Sequence, residues 1–98
     1  MKNKGPLKGI KVIDLTAMVS GPTATMMLGD QGADVIKIES PLRPDNARFM
    51  GPLRGENGAL FAAANRSKRS LALDLKKDGS KEIIYELIKN SDVIIDNF

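Results

Sequence analysis

Four short segments rich in isoleucine, valine and leucine limit the folds that this sequence can adopt. Three of them, residues 10–15 (IKVIDL), 34–39 (DVIKIE) and 92–97 (DVIIDN), have the composition of strands buried in a parallel sheet. The fourth, residues 70–75 (SLALDL), has leucine at every second position. A period of two predicts a half-buried strand, which we place at an edge of the sheet.

The segments between these strands carry helix signals. Gly21 and Pro22 can begin a helix after the first strand, and Gly32 can end it. A mostly apolar face of this helix is expected from Ala24, Met27, Leu28 and Gln31.

A second helix is predicted before the last strand, with Asp78 or Ser80 as its cap. Its apolar stripe consists of Ile83, Ile84, Leu87 and Ile88. Residues 40–56 contain three prolines and two glycines, which predicts a long irregular loop. The sequence GALFAAAN after this loop predicts a short helix.

The order of these elements predicts an α/β fold, a parallel sheet with crossover helices. Ligands of such sheets bind beyond the carboxyl ends of the strands, where loops and helix amino termini converge. In this chain that edge comprises residues 16–21, 40–45, 76–79, and Asn97 with Phe98.

Composition excludes several kinds of site. The 98 residues include no cysteine and no histidine, so thiolate nucleophiles, Ser-His pairs and Cys/His metal sites are ruled out, and we expect no metal. No uncharged apolar run is long enough to span a membrane, so we expect no membrane partner and a cytoplasmic location.

Two basic clusters leave one alternative open. Lys2, Lys4, Lys8 and Lys11 form the first, and Arg66, Lys68 and Arg69 form the second. They favour solvated surface, and a stand-alone nucleotide- or nucleic-acid-binding module is the competing interpretation. A net charge of only +3 argues against a nucleic-acid partner.

The turn TAMVSGP, residues 16–22, is the first candidate site. Gly21 permits close backbone approach, and free amides at a helix start can hold an anion or a carbonyl oxygen. The turn lacks the endings of a Walker A loop and of a Gly-x-Gly-x-x-Gly motif. Glu39 stands where dinucleotide-binding folds place a ribose-binding acid, but the missing glycines make a nicotinamide site a minor alternative.

Several separated motifs together resemble a known family. They are PLKGIKVIDLT, SGPTATMMLGDQGADVIKIE, NRSKRSLALDLK and DVIIDNF, in this order, between Pro6 and Phe98. The chain resembles the amino-terminal part of the family III CoA-transferases (CaiB/BaiF family), which includes formyl-, carnitine- and bile acid-related enzymes and acyl-CoA racemases. The resemblance implies that residues 1–98 are an incomplete, amino-terminal part of a Rossmann-like CoA-binding domain. The longer polypeptide is expected to form an interlocked homodimer.

The resemblance also implies a binding site for CoA or acyl-CoA, as a substrate rather than a permanently bound cofactor. Val19 and Ser20 match the turn beside the thioester, and the nucleotide part is matched by Leu73, Lys76, Asn97 and Phe98. Arg48 and Arg69 are further candidates for the CoA phosphates. Two departures are that some relatives have Gln at Val19 and Arg at Ser40.

The implied reaction is CoA transfer from an acyl-CoA to a carboxylic acid through an aspartate nucleophile and covalent intermediates. That aspartate is expected downstream of residue 98, so we name no catalytic residue and expect the 98 residues alone to be inactive. We expect none of Asp14, Asp74, Asp92 and Asp96 to take this role, because they lie within or beside strands or close to the basic cluster. An acyl-CoA racemase of the same family is the alternative enzyme.

Overall fold

A computed structural model describes residues 4–55 and 57–98 of the chain. Lys2 of the first basic cluster and Glu56 of the predicted loop lie outside the described residues. The elements in chain order are β1 (Lys11–Asp14), α1 (Ser20–Asp30), β2 (Asp34–Glu39), a 3₁₀ helix (Asn46–Phe49), β3 (Leu53–Arg54), β4 (Asn57–Gly58), α2 (Ala59–Ala64), β5 (Lys68–Ala72), α3 (Ser80–Lys89) and β6 (Val93–Ile95).

The main sheet has four strands in the order β5-β2-β1-β6, and each neighbouring pair is parallel. The predicted α/β fold with a parallel sheet is therefore confirmed. The strand predicted for residues 70–75 is at an edge as expected, although β5 begins and ends earlier in the chain. The prediction of a buried strand at 92–97 was wrong, because β6 is the other edge and leaves Ile94 45% exposed.

Helices cover both faces of the sheet. On one face, Leu28 of α1 packs against the buried cluster of Val12, Ala33 and Val35. On the other face, Ile84 of α3 packs against Ile13 and Ile38. Apolar side chains alternate between these faces along β1, as burial on both sides of a parallel strand requires.

The predicted apolar face of α1 was wrong except at Leu28, which packs against the sheet. Ala24, Met27 and Gln31 are exposed, whereas Thr25 and Met26 are buried. The reason is polar: the Thr25 hydroxyl donates a hydrogen bond to Asp14 Oδ2 at 2.7 Å, so the helix turns a threonine towards the sheet. A pattern based on hydrophobicity alone does not detect such a contact.

The α3 helix was predicted correctly, but its cap was not. Gly79, with φ of +85°, precedes the helix, and neither Asp78 nor Ser80 acts as the side-chain cap. The Ser80 hydroxyl instead donates to the carbonyl oxygen of Asp74 at 2.6 Å. Ile84 is buried and Leu87 and Ile88 are partly buried, while Ile83 is 48% exposed.

Residues 40–55 are more regular than predicted. The Asp45 side chain accepts from the Ala47 N–H and caps the 3₁₀ helix. Farther along, β3 pairs with β4 in an antiparallel ladder. The loop prediction was therefore wrong for these parts of the segment, because proline-rich and glycine-rich composition does not detect a single helical turn or a two-residue ladder.

Candidate functional site

The turn between β1 and α1, residues 16–19, is held by four side chains, which come from β1, β2, the loop after β2 and the segment after β6. At its start, the Thr16 N–H and hydroxyl both donate to Asp14 Oδ1, the former at 2.8 Å. The Thr16 carbonyl accepts a hydrogen bond from Lys37 Nζ at 2.9 Å. Thr16 is 2% exposed, so its backbone has no access to water as an alternative partner.

The middle of the turn is held by Asn97 and Asp45. Asn97 pairs with both polar backbone groups of Ala17, at 3.0 and 2.8 Å. The Met18 N–H donates to Asp45 Oδ1 at 2.9 Å. Met18 has φ of +73°, a left-handed conformation that side chains disfavour, so the turn needs these fixed partners.

Gly21 allows α1 to begin against this turn. A Cβ at Gly21 would lie 2.5 Å from both Cβ and Cγ2 of Thr16. The helix follows Val19, which makes no side-chain capping bond. Backbone amides at such a helix start are available to an external acceptor.

Two buried ion pairs lie beneath the turn. Lys68 Nζ is 2.9 Å from Asp14 Oδ2, and the two side chains are 2% and 0% exposed. Lys37 Nζ is 3.0 Å from Asp45 Oδ2, with side-chain exposures of 2% and 1%. This second contact is ionic and lacks the angle of a hydrogen bond, since Asp45 Oδ2 has no hydrogen-bond donor among the described residues.

The carboxylates of these pairs remain ionised. Burial by itself raises the pKa of Asp14, but hydrogen bonds from Lys68, Thr16 and Thr25 outweigh it and hold that pKa below its ordinary value of 3.8. Burial also raises the pKa of Asp45. The hydrogen bonds from the Met18 and Ala47 N–H groups, together with the nearby positive charge of Lys37, outweigh burial and bring that pKa below 3.8. Burial lowers the pKa of Lys68, which the Asp14 carboxylate partly offsets.

Glu39 and Arg48 form a third pair, at the end of β2. The guanidinium binds both carboxylate oxygens, at 3.0 and 2.7 Å, and lies 3.8 Å from the centroid of the Phe61 ring. Burial opposes ionisation of Glu39, but these bonds hold its pKa below 4.5. The structure therefore does not support a ribose contact for Glu39, nor a phosphate contact for Arg48.

A cavity of about 780 Å³ opens at the carboxyl ends of β1, β2 and β5. Its wall includes the turn at Ala17 and Met18, the loop at Arg43 and Asp45, and the segment that follows β5. In the part of the chain that the structure describes, the cationic side chains that line it are Arg43 and Lys76, and both residues are exposed. The cavity lies at the edge of the sheet where the sequence predicted a ligand.

Three of the six predicted CoA-binding residues, Leu73, Lys76 and Phe98, line this cavity. Asn97 lies behind its wall, bonded to Ala17. Val19 and Ser20 directly follow the lining residue Met18 but are not part of the lining. The structure thus brings the six residues to one edge, and contact with CoA stays a prediction for all of them.

Sequence reasoning missed Arg43 and the buried pairs. Ser40 Oγ accepts from the N–H groups of Leu42 and Arg43, both at 3.2 Å, and this serine turn sets the course of the loop. The sequence signal was the serine before Pro41, where a side chain can cap a turn. A buried Lys37 inside an apolar strand had no comparable signal.

The second basic cluster is neutralised within the protein. Arg66 Nη2 is 2.9 Å from Asp30 Oδ2, and Arg69 Nη2 is 2.8 Å from Asp34 Oδ2. With Lys68 on Asp14, all three cations have an acidic partner. Asp34 begins β2, so Arg69 lies away from the cavity and the expected phosphate contact is not supported. This cluster also gives no support to a nucleic-acid-binding module.

Asp74 follows β5 and lines the cavity, and its Oδ1 accepts a hydrogen bond from the Lys76 N–H at 3.0 Å. Its carboxylate therefore fixes the turn that carries Lys76. Within residues 4–55 and 57–98, no group of three metal-ligating side chains could hold a metal ion. No helix in that part of the chain has both the length and the apolar character needed to cross a bilayer.

Four parallel strands, helices on both faces and a cavity at the carboxyl ends define a Rossmann-like α/β domain. The model of CoA-transferase family III matches residues 7–98. The acetyl-CoA:oxalate CoA-transferase of Acetobacter aceti is 43% identical over 99% of this chain and 25% of its own length. The human succinyl-CoA:glutarate CoA-transferase is 42% identical over 100% of this chain and 23% of its own.

The solved structure of a CAIB/BAIF family protein from Brucella suis has the same fold. It superposes with a TM-score of 0.87 at 40% identity, over 96% of this chain and 26% of that protein. The chain belongs to CoA-transferase family III and spans about a quarter of the length of these relatives.

Proposed function

We propose that this chain forms part of the CoA site of an enzyme that moves CoA from an acyl-CoA thioester to a carboxylic acid. Family membership supports this, as do the acyl-CoA and dicarboxylate substrates in the names of the two transferases above. Those names give no preference for an acyl-CoA racemase. The acyl donor and acceptor of this protein are left open.

The observation that carries the proposal is the cavity beside the turn of residues 16–19. Lys76 and Arg43 line it with positive charge, which suits the diphosphate and 3'-phosphate of CoA. Leu73 and Phe98 supply apolar surface for the rest of the nucleotide. In this proposal the thioester lies at the start of α1, near Val19 and Ser20.

The start of α1 suits a thioester because backbone amides stabilise negative charge on a carbonyl oxygen. Val19 has no side-chain amide, so only its backbone can serve. Asn97 contributes indirectly, through the hydrogen bonds that fix Ala17.

We assign the nucleophile to an aspartate outside these 98 residues. Its carboxylate attacks the thioester carbonyl, the C–S bond breaks, and CoA leaves as the thiolate while a mixed anhydride forms. Later covalent intermediates pass CoA to the second acid. The carboxylates near the turn are unsuitable, because Asp14, Glu39 and Asp45 are each paired with a cation.

Calorimetric titration of the 98-residue chain with CoA tests the proposal. We expect Lys76→Ala to weaken binding by about tenfold, the effect of one charge-assisted contact. Lys77→Ala is the matched control, since Lys77 is also exposed but does not line this cavity. Pantetheine, which lacks the phosphates, should not distinguish Lys76→Ala from the unmodified chain. Equal losses of CoA affinity at both lysines would contradict the proposal.

For the full-length protein we propose a cytoplasmic homodimer with CoA as substrate rather than as a resident cofactor. Light scattering on the purified full-length protein tests the homodimer. Nucleotide analysis of the supernatant after heat denaturation tests whether CoA is a substrate or a resident cofactor. A monomer, or stoichiometric release of CoA from protein purified without it, would contradict these proposals.

A further inference from the structure

Asp45 makes contacts that CoA binding by itself does not explain. It belongs to the loop after β2, is 4% exposed, and binds the Met18 N–H, a group 27 positions earlier in the chain. The same oxygen, Oδ1, also accepts from the Ala47 N–H at 2.9 Å. One buried oxygen therefore ties the turn before α1 to the start of the 3₁₀ helix.

The Asp45 carboxylate is itself held firmly. Its Oδ2 lies 3.0 Å from Lys37 Nζ, and its backbone N–H donates to Glu39 Oε2 at 2.8 Å. Lys37 also donates to the Thr16 carbonyl. Lys37 and Asp45 thus brace the turn at two points, the carbonyl of Thr16 and the N–H of Met18.

The conformation of Met18 decides where α1 begins relative to the cavity. Its φ of +73° is disfavoured for any residue with a Cβ and persists only where the surroundings impose it. The amides of Val19 and Ser20 follow immediately, so a change at Met18 would move them. Among the described residues, Asp45 supplies the one side-chain hydrogen bond to the Met18 backbone.

We propose that Asp45 is a positioning residue, which holds Met18 in its left-handed conformation and so sets the amides at the start of α1 for the acyl thioester. It acts through the backbone of Met18. That Asp45 holds Met18 rests on the geometry alone. That the amides at the start of α1 serve an acyl thioester rests on the proposed function.

The test compares Asp45→Ala with Asp45→Asn in the 98-residue chain. Both variants remove the charge and leave Lys37 without its partner, so that cost is common to both. Only asparagine keeps an oxygen for the Met18 N–H. Amide hydrogen exchange followed by NMR reads Met18, and Ala17 is the internal control because Asn97 holds it independently.

We expect Asp45→Ala to accelerate exchange at Met18 about tenfold more than at Ala17, and to weaken binding of acetyl-CoA by a similar factor. In Asp45→Asn, the shared loss of the Lys37 ion pair should accelerate exchange at Met18 and Ala17 by similar factors, and acetyl-CoA should bind more tightly than to Asp45→Ala. If either variant fails to fold, Asp45→Ala and Asp45→Asn are each combined with Lys37→Met, so that no buried cation is left without a partner.

Three results for Asp45→Ala would overturn the role of Asp45. They are equal acceleration of exchange at Met18 and Ala17, unchanged protection of Met18, and faster exchange at Met18 with unchanged acetyl-CoA affinity. Failure of the unmodified chain to bind acetyl-CoA would instead reject the CoA site. The exchange comparison would still decide whether Asp45 holds Met18.

Discussion

The side-chain amide of Asn97 pairs with both backbone groups of Ala17: Oδ1 accepts from the N–H at 3.0 Å and Nδ2 donates to the carbonyl at 2.8 Å. The two residues are 80 positions apart in the sequence. This pairing joins the segment after β6 to the turn after β1, at the edge of the sheet where the cavity opens.

Asn97→Ala should lower the free energy of unfolding by about 1 kcal/mol, since two hydrogen bonds to an exposed backbone are lost and water replaces them in part. Urea unfolding followed by circular dichroism measures this. Asn97→Asp keeps the acceptor for the Ala17 N–H but places a carboxylate oxygen against the Ala17 carbonyl oxygen, so its loss should be at least as large as that of Asn97→Ala. A clearly smaller loss for aspartate than for alanine would contradict the bond from Nδ2 to the Ala17 carbonyl.

The buried pair of Asp14 and Lys68 should show strong coupling in a double-mutant cycle. Lys68→Met alone leaves a buried carboxylate without its cation, and we expect it to cost about 3–5 kcal/mol. Adding Asp14→Asn should recover much of that loss because no buried charge then remains. Additive effects of the two changes, measured by urea unfolding, would show that the pair is not coupled.

Stability should fall in acid because the buried carboxylates ionise more readily in the folded chain than in the unfolded one. The folded pKa values of Asp14, Glu39 and Asp45 lie below their ordinary values of 3.8 and 4.5. The unfolded state therefore binds more protons as pH falls, and the stabilisation present above those values is lost on acidification.

The urea concentration at the midpoint of unfolding should therefore be nearly constant above about pH 5 and decline steadily below it. The double variant Asp14→Asn, Lys68→Met should decline less steeply, since one of the three carboxylates is absent. Identical acid slopes for the two proteins would mean that Asp14 does not contribute to this pH dependence.

Gly21→Ala should disturb the start of α1. The added methyl group would lie 2.5 Å from Thr16 Cβ and Cγ2, so helix and turn must separate, at a cost of about 1–3 kcal/mol. Ser20→Ala is the matched control, because Ser20 is exposed in the same helical turn. Thermal unfolding compares the two, and equal midpoints would contradict the close contact seen at Gly21.

The sequence alone determined the order of the four strands of the main sheet and of the helices between them, the parallel arrangement of that sheet, and the edge at which a ligand site would lie. Those features depend on local patterns: apolar segments such as 34–39, helix signals around Gly21 and Gly32, and the rule that parallel strands end at a common edge. Family motifs added Lys76, Leu73 and Phe98, which the structure places around one cavity.

Only the tertiary structure decided how the charged residues are used. Lys37 and Asp14 lie in apolar strands. Their partners are Asp45, in the loop after β2, and Lys68, in β5, so no pattern within a single strand or helix relates them. The same holds for Asn97 on Ala17 and for Arg69, which binds Asp34 rather than lining the cavity. A buried charge requires a counter-charge wherever the fold brings one close, and that proximity is a property of the folded chain rather than of spacing in the sequence.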